Sequence, residues 1–127
     1  VVLSIDIKRV DGKYCVFSNG GRINTGIDAI EWAELGEKNG AGELVVNSID
    51  TDGVRNGFDL ELLKDISKNL SIPVVASGGA GNMEHFKDVF MLEGVDAGLA
   101  ASIFHFKEID IMDLKRYLEK NNIVVRI

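Results

Sequence analysis

Short apolar runs alternate along the chain with segments whose apolar residues recur every three or four positions. Val1 to Lys8 reads as a strand, and Asp11-Gly12 then joins Arg9-Val10 to Lys13–Phe17. A two-residue Asp-Gly connection between such runs is a hairpin signal. Ser18–Arg22 reads as loop. Thr25, with Asp28 three residues on, resembles a helix start, and Ala29, Ile30, Trp32 and Ala33 form a helical apolar face up to about Lys38. Asn39–Gly42 stops it. A second strand spans Glu43–Ile49. Asp59 is an N-cap for a helix whose inner face is Leu63, Ile66 and Leu70.

The third strand, Ile72–Ala76, runs into Ser77-Gly78-Gly79-Ala80-Gly81, and a helix carrying Phe86, Val89 and Phe90 starts at Asn82 and ends near Gly94. A fourth strand covers Val95–Ala101, followed by a short turn at Ser102–His105. Asp110 caps a last helix with Ile111, Leu114 and Leu118 facing inward; Asn121-Asn122 ends it, before a tail at Ile123–Val125. Four βα units in succession imply a parallel sheet flanked by helices. The strands are near-continuous apolar runs, the pattern of strands buried on both faces. Two architectures fit: an open doubly wound sheet, or half of a (β/α)8 TIM barrel. A full barrel needs roughly 250 residues, and the chain has 127, enough for one domain with a real core. The opening run Val1–Ile5 has no methionine or polar lead-in, which suggests a piece of something longer.

A formal charge of -6 argues against a broad nucleic-acid or anionic-membrane surface, and leaves room for a locally positive site for an anionic small molecule. Cys15 is the only cysteine, so there is no intrachain disulfide framework; a reducing, cytoplasmic setting fits. No apolar run is long enough to span a membrane.

In both architectures ligands bind at the carboxyl ends of the strands. Four polar sets fall there: Asp6; Asn47, Ser48, Asp50, Asp52 and Gly53; Ser77–Gly81; and Ala101-Ser102. The Ser-Gly-Gly-Ala-Gly turn between strand and helix is a candidate phosphate loop, because glycines permit close backbone approach and free N–H groups attract anions. The bland alternative is a tight βα turn with no ligand. Asp6 ends an apolar strand, as a general acid or base would; otherwise it is an acceptor for backbone N–H groups. Asp52 precedes a glycine, so an Asx-turn competes with a ligand role, and Asp50 reads as structural. His85 reads as a surface residue and His105 as a packing residue. Neither they nor Cys15 have metal-ligand spacing, so no metal is expected.

Four stretches together resemble one family: Ser4-Ile5-Asp6-Ile7-Lys8-Arg9-Val10, Asn47-Ser48-Ile49-Asp50-Thr51-Asp52-Gly53, Ala76–Phe86 and Ala100-Ala101-Ser102-Ile103-Phe104-His105-Phe106. They are similar, in order and over the whole chain, to the C-terminal half of the cyclase subunit of imidazole glycerol phosphate synthase, strands five to eight of a (β/α)8 barrel. A related isomerase of histidine biosynthesis shares the phosphate loops but not the Ala100–Phe106 run. The resemblance implies a lyase-type cyclase that takes a phosphorylated ribotide and ammonia, closes an imidazole ring and cleaves the substrate. It implies no cofactor, and ammonia supplied by a glutaminase subunit. Asp6 matches one of two catalytic aspartates. Ser77, Gly78 and Gly79, with Ala101 and Ser102, match the loops holding one substrate phosphate. Asn47, Asp52 and Gly53 match substrate-facing positions, and Glu43 a charged residue of the ammonia gate. The second aspartate and second phosphate site belong to the N-terminal half. The expectation is therefore a phosphate-binding chain, inactive alone, that self-associates through its unpaired first and fourth strands or pairs with a complementary half-barrel. A free-standing phosphate-binding half-barrel, or a glutaminase-docking module without catalysis, are the competing readings.

Overall fold

The computed structural model describes residues 1–127. Six strands form one sheet: β1 (Val2–Val10), β2 (Lys13–Ser18), β3 (Ile23–Asp28), β4 (Glu43–Ser48), β5 (Val74–Ser77) and β6 (Val95–Leu99). Five helices accompany them: α1 (Ala29–Lys38), α2 (Leu60–Ser67), α3 (Met83–Phe90), the single turn α4 (Ser102–His105) and α5 (Ile111–Lys120). The order is β3-β2-β1-β4-β5-β6. β1, β4, β5 and β6 run parallel, while β2 and β3 are antiparallel additions.

That order separates the two architectures. From β1 to β6 the parallel strands advance in one direction. Right-handed crossovers then put every helix on the same face, whereas a doubly wound sheet reverses direction and is covered on both. The register agrees. Ile5, Val46, Ala76 and Gly98 form one row across the parallel strands. The first three are buried, and a Cβ on Gly98 would lie 3.1 Å from the Phe86 ring of α3. The neighbouring row, Asp6, Asn47, Ser77 and Leu99, points the other way and is half-buried or exposed. A sheet wound in one direction with helices on one face is the geometry of a half TIM barrel.

Three expectations change. The apolar strand pattern implied burial on both faces, but only the helix-side face is sealed. Val45 and Val75 on the other face are half-buried and Leu99 is 46% exposed. Their apolar character is what a closed barrel interior requires. Second, the sheet has a strand where a helix start was expected at Thr25. The Thr25 hydroxyl donates to the Val16 carbonyl at 2.6 Å, tying the segment to β2, and the helix cap is Asp28, which accepts from the Glu31 amide. Every residue of β3 is exposed, so no apolar alternation announces it. Third, the fourth parallel strand, β6, is an edge of the sheet as expected, but the other edge is β3 rather than the first parallel strand, β1. β2 folds back along β1 from Asp6 to Val10, and β1 keeps a free edge only over Val2–Ile5.

The hairpin itself forms as expected, with Asp11 (φ 51°) and Gly12 (φ 77°) both left-handed, as a two-residue primed turn demands. Asp59, Asn82 and Asp110 all cap helices through their side chains. Phe86 is the hub of the core, its ring 5.2 Å from Phe58 edge-on and 5.8 Å from Phe104. It joins the segment before α2, helix α3 and α4. Ile111, expected to face inward, is 51% exposed, while Leu114 and Leu118 are buried.

Candidate functional site

The carboxyl ends of the parallel strands carry one connected polar row on the open face. Asp6 stands beside Asn47, and Asn47 beside Ser77, in strict register. The Asn47 side-chain amide donates to Asp6 Oδ1 at 3.1 Å, and the Ser77 hydroxyl donates to Asn47 Oδ1 at 3.2 Å. Asn47 is thus oriented at both ends, and Asp6 keeps a second carboxylate oxygen free of protein donors. A half-buried carboxylate fixed by one hydrogen bond can exchange a proton with a molecule lying on this face.

Beyond Ser77 the chain turns through Gly78, Gly79 and Ala80, all buried. Two causes for these glycines separate cleanly. Gly78 (φ 94°) and Gly79 (φ 119°) occupy backbone conformations that other residues rarely adopt. A Cβ on Gly79 would also fall 2.1 Å from the Gly57 carbonyl oxygen, and one on Gly78 2.8 Å from that of Ser48. The glycines are therefore required by the packing of this loop on the loop after β4, whether or not an anion approaches. Gly57 N–H donates to the Gly79 carbonyl at 2.9 Å and the Thr51 hydroxyl to that of Gly78 at 2.8 Å, closing the same contact.

The loop's carbonyls are engaged there; its amides are not. The N–H groups of Gly78, Gly79 and Ala80 donate to no protein acceptor, nor does that of Ala101 across the cavity. Buried amides are almost always paired, so the three of the buried residues Gly78, Gly79 and Ala80 are unusual, while Ala101 is exposed. These residues line a cavity of about 240 Å³ together with Asp52, Gly53, Arg55 and the segment Leu99–Ser102. Ser77, Gly78, Gly79, Asp52, Gly53, Ala101 and Ser102 are thereby brought into one site. Asp52 and Ser102 are exposed at its mouth, and the Asp52 carboxylate makes no Asx-turn hydrogen bond. His85, read as a surface residue, is half-buried: its Nδ1 accepts from the Gly81 amide at 2.9 Å and braces the turn.

Asp6 and Asn47 stand in the same row but do not line the cavity, so the site has two connected parts, an amide-lined cavity and a carboxylate. Glu43 lies apart. It shares the open face with Asn47, but four residues down β4, roughly 13 Å away at about 3.3 Å per residue. It marks the opposite end of the strands.

Two groups were not singled out by their sequence. Arg55 is the only basic residue lining the cavity; being the one cation of the 50–57 loop is the signal that could have marked it. Arg9 braces the site from behind. Its guanidinium forks onto Asp59 at 2.5 and 2.7 Å, stacks 5.0 Å from the Tyr14 ring, and its backbone amide donates to Asp50 at 2.9 Å. Asp50 is accordingly a structural acceptor. Burial alone would raise the Asp59 carboxyl, but the Arg9 guanidinium, the Leu62 amide and the Ser48 hydroxyl outweigh it and hold the group below the usual carboxylate range. Tyr14 is pushed up to about 12 by burial, with its hydrogen bond to Asp65 acting in the same direction. The network locks the hairpin and the β4 loop onto α2. No helix is long and apolar enough to cross a membrane.

Comparison with known proteins bears on this architecture. The chain is 59% identical over 126 residues to the imidazole glycerol phosphate synthase subunit HisF of Oceanobacillus iheyensis, covering 98% of the chain and 49% of that protein. It is 58% identical over 127 residues to the subunit of the same name from Campylobacter concisus, covering 100% of the chain and 50% of that protein. The chain thus spans about half the length of the curated relatives it matches. Residues 1–110 match the family described as Histidine biosynthesis protein, and the chain belongs to that family.

Proposed function

We propose that this chain is the C-terminal portion of an imidazole glycerol phosphate synthase cyclase subunit, acting in histidine biosynthesis in the cytoplasm. It supplies one phosphate site and one of two catalytic carboxylates. The observation that carries the reading is the adjacency of the Asp6–Asn47–Ser77 row to the four unpartnered amides of Gly78, Gly79, Ala80 and Ala101. An anionic group seated on those amides would anchor a substrate laid along the open face, with its reacting portion toward Asp6. Anchoring through a remote phosphate holds the reacting atoms against the carboxylate.

Asp6 acts as the proton-transfer group at one end of a phosphorylated ribotide during ring closure and cleavage. Asn47 holds its carboxylate in position. General acid–base work at two centres needs two groups, and losing one costs about 10²–10⁴ in rate. The chain alone therefore binds phosphate but turns over negligibly. The half-open face, with Val45, Val75 and Leu99 half-buried or exposed, supports closure by a complementary N-terminal half-barrel or, failing that, by a second copy. Ammonia enters at the Glu43 end from a glutaminase subunit docked beneath the strands. Co-expression with an N-terminal half tests the reading. Turnover appears in the reconstituted complex and disappears with Asp6→Asn; turnover that survives Asp6→Asn overturns it.

A further inference from the structure

The one cation at the cavity is engaged elsewhere. The Arg55 guanidinium is forked onto the Glu108 carboxylate, Nη1 to Oε1 at 3.3 Å and Nη2 to Oε2. Arg55 belongs to the loop after β4, and Glu108 follows α4, beyond β6. Because β5 lies between β4 and β6, the pair spans the loop that carries Gly78 and Gly79. The Arg55 backbone is seated on that loop as well: its carbonyl oxygen would lie 2.2 Å from a Cβ on Gly81. The anchoring of its main chain contrasts with its side chain, which is 45% exposed, against 39% for Glu108. An exposed ion pair of this kind is weak. A phosphate dianion offers the same fork geometry with more charge. The cavity also carries the Asp52 carboxylate, which repels an incoming anion, so the amides alone do not balance the charge.

We propose that Arg55 is the counter-charge for the bound phosphate, and that Glu108 is the latch holding it back until the anion arrives. On binding, Arg55 exchanges a carboxylate for phosphate oxygens, and its pair with Glu108 lowers the affinity by the small strength of that pair. This rests on the phosphate reading above and adds to it a residue that tunes the site. It also gives the loop after β4 and the α4–α5 connection a way to respond to occupancy, since releasing Glu108 uncouples the two.

Titration of the 127-residue protein with inorganic phosphate at low ionic strength, by calorimetry, tests it. Glu108→Gln removes the competitor while keeping the shape, and is expected to tighten phosphate about two- to five-fold, the range of an exposed pair. Glu108→Ala, an independent break of the same pair, should do likewise. Arg55→Gln is expected to weaken binding about tenfold or more, as loss of a charge-assisted contact does. Arg55→Lys falls between, because the charge stays and the fork is lost. If the parent binds phosphate and both Glu108 variants bind it equally or more weakly, the latch is wrong and the phosphate reading stands. If neither the parent nor the Glu108 variants bind it, both fall.

Discussion

Asp59→Asn separates the two jobs of one buried side chain. Asp59 caps α2 by accepting from the Leu62 amide at 3.1 Å, and it pairs with Arg9 through two short hydrogen bonds. Asparagine caps a helix as well as aspartate does, so the substitution leaves the cap and removes the charge. The Asp59 side chain is 5% exposed and that of Arg9 34%. Water can therefore solvate the guanidinium once its partner is gone, which places the loss at about 2 kcal/mol rather than the 3–5 kcal/mol of a wholly buried broken pair. Asp59→Ala also removes the cap, worth about 1 kcal/mol, and strips the buried Ser48 hydroxyl of its acceptor, for another 1 kcal/mol or more. Its total is about 4 kcal/mol, a large part of a typical domain's stability. Urea denaturation measures both. The pH dependence supplies an internal check. Because the folded-state carboxyl is depressed, its contribution is complete above the unfolded value near 4 and is lost as pH falls through the lower folded value. The gap between parent and Asp59→Asn should be full at pH 7 and shrink below about pH 4. Equal stability of Asp59→Asn and the parent at pH 7, or a gap that persists at low pH, would refute the assignment.

Other substitutions probe the fold and the site. Gly79→Ala forces a side chain into a left-handed backbone and against the Gly57 carbonyl; chemical denaturation should show a loss of about 2–4 kcal/mol, with phosphate affinity falling as the two loops separate. Phe86→Ala empties the centre of the aromatic cluster and should cost about 3–5 kcal/mol, read as a drop in thermal midpoint. Light scattering on the isolated chain should show a dimer or larger species, because the β6 edge and the apolar open face lack partners; a monodisperse monomer would contradict that.

The residues that meet at the candidate site were more legible in the sequence than the sheet. Apolar runs, an Asp-Gly turn and aspartate or asparagine caps are local signals, and the strands and helices they announce are present. The strand Ile23–Asp28 escaped because none of its residues is buried, so pairing with β2 is recorded only in backbone hydrogen bonds and the Thr25 hydroxyl. The open face was legible only through the resemblance to half a barrel, not through the strand pattern. Val45 and Val75 are apolar for the sake of a barrel interior, and periodicity cannot say whether the strands that close it are in the same chain. Asp6, Asn47 and Ser77 were legible individually as polar residues ending apolar strands. Their alignment in one hydrogen-bonded row depends on register, which no local pattern encodes. Arg55 and Arg9 were missed because each acts through a partner about 50 residues away, and glycine spacing alone could not show that Gly78 and Gly79 answer first to a neighbouring loop.

The proposed anion site is the loop from Gly78 to Ala80, with Ala101, on a barrel half that carries the Asp6 carboxylate. Amide chemical shifts followed through a phosphate titration test it most directly. The Gly78, Gly79, Ala80 and Ala101 resonances should move together and saturate with one dissociation constant, while those near Glu43 at the far end of the strands stay still. Shifts that never saturate, or that spread evenly over the surface and spare these four amides, would contradict it.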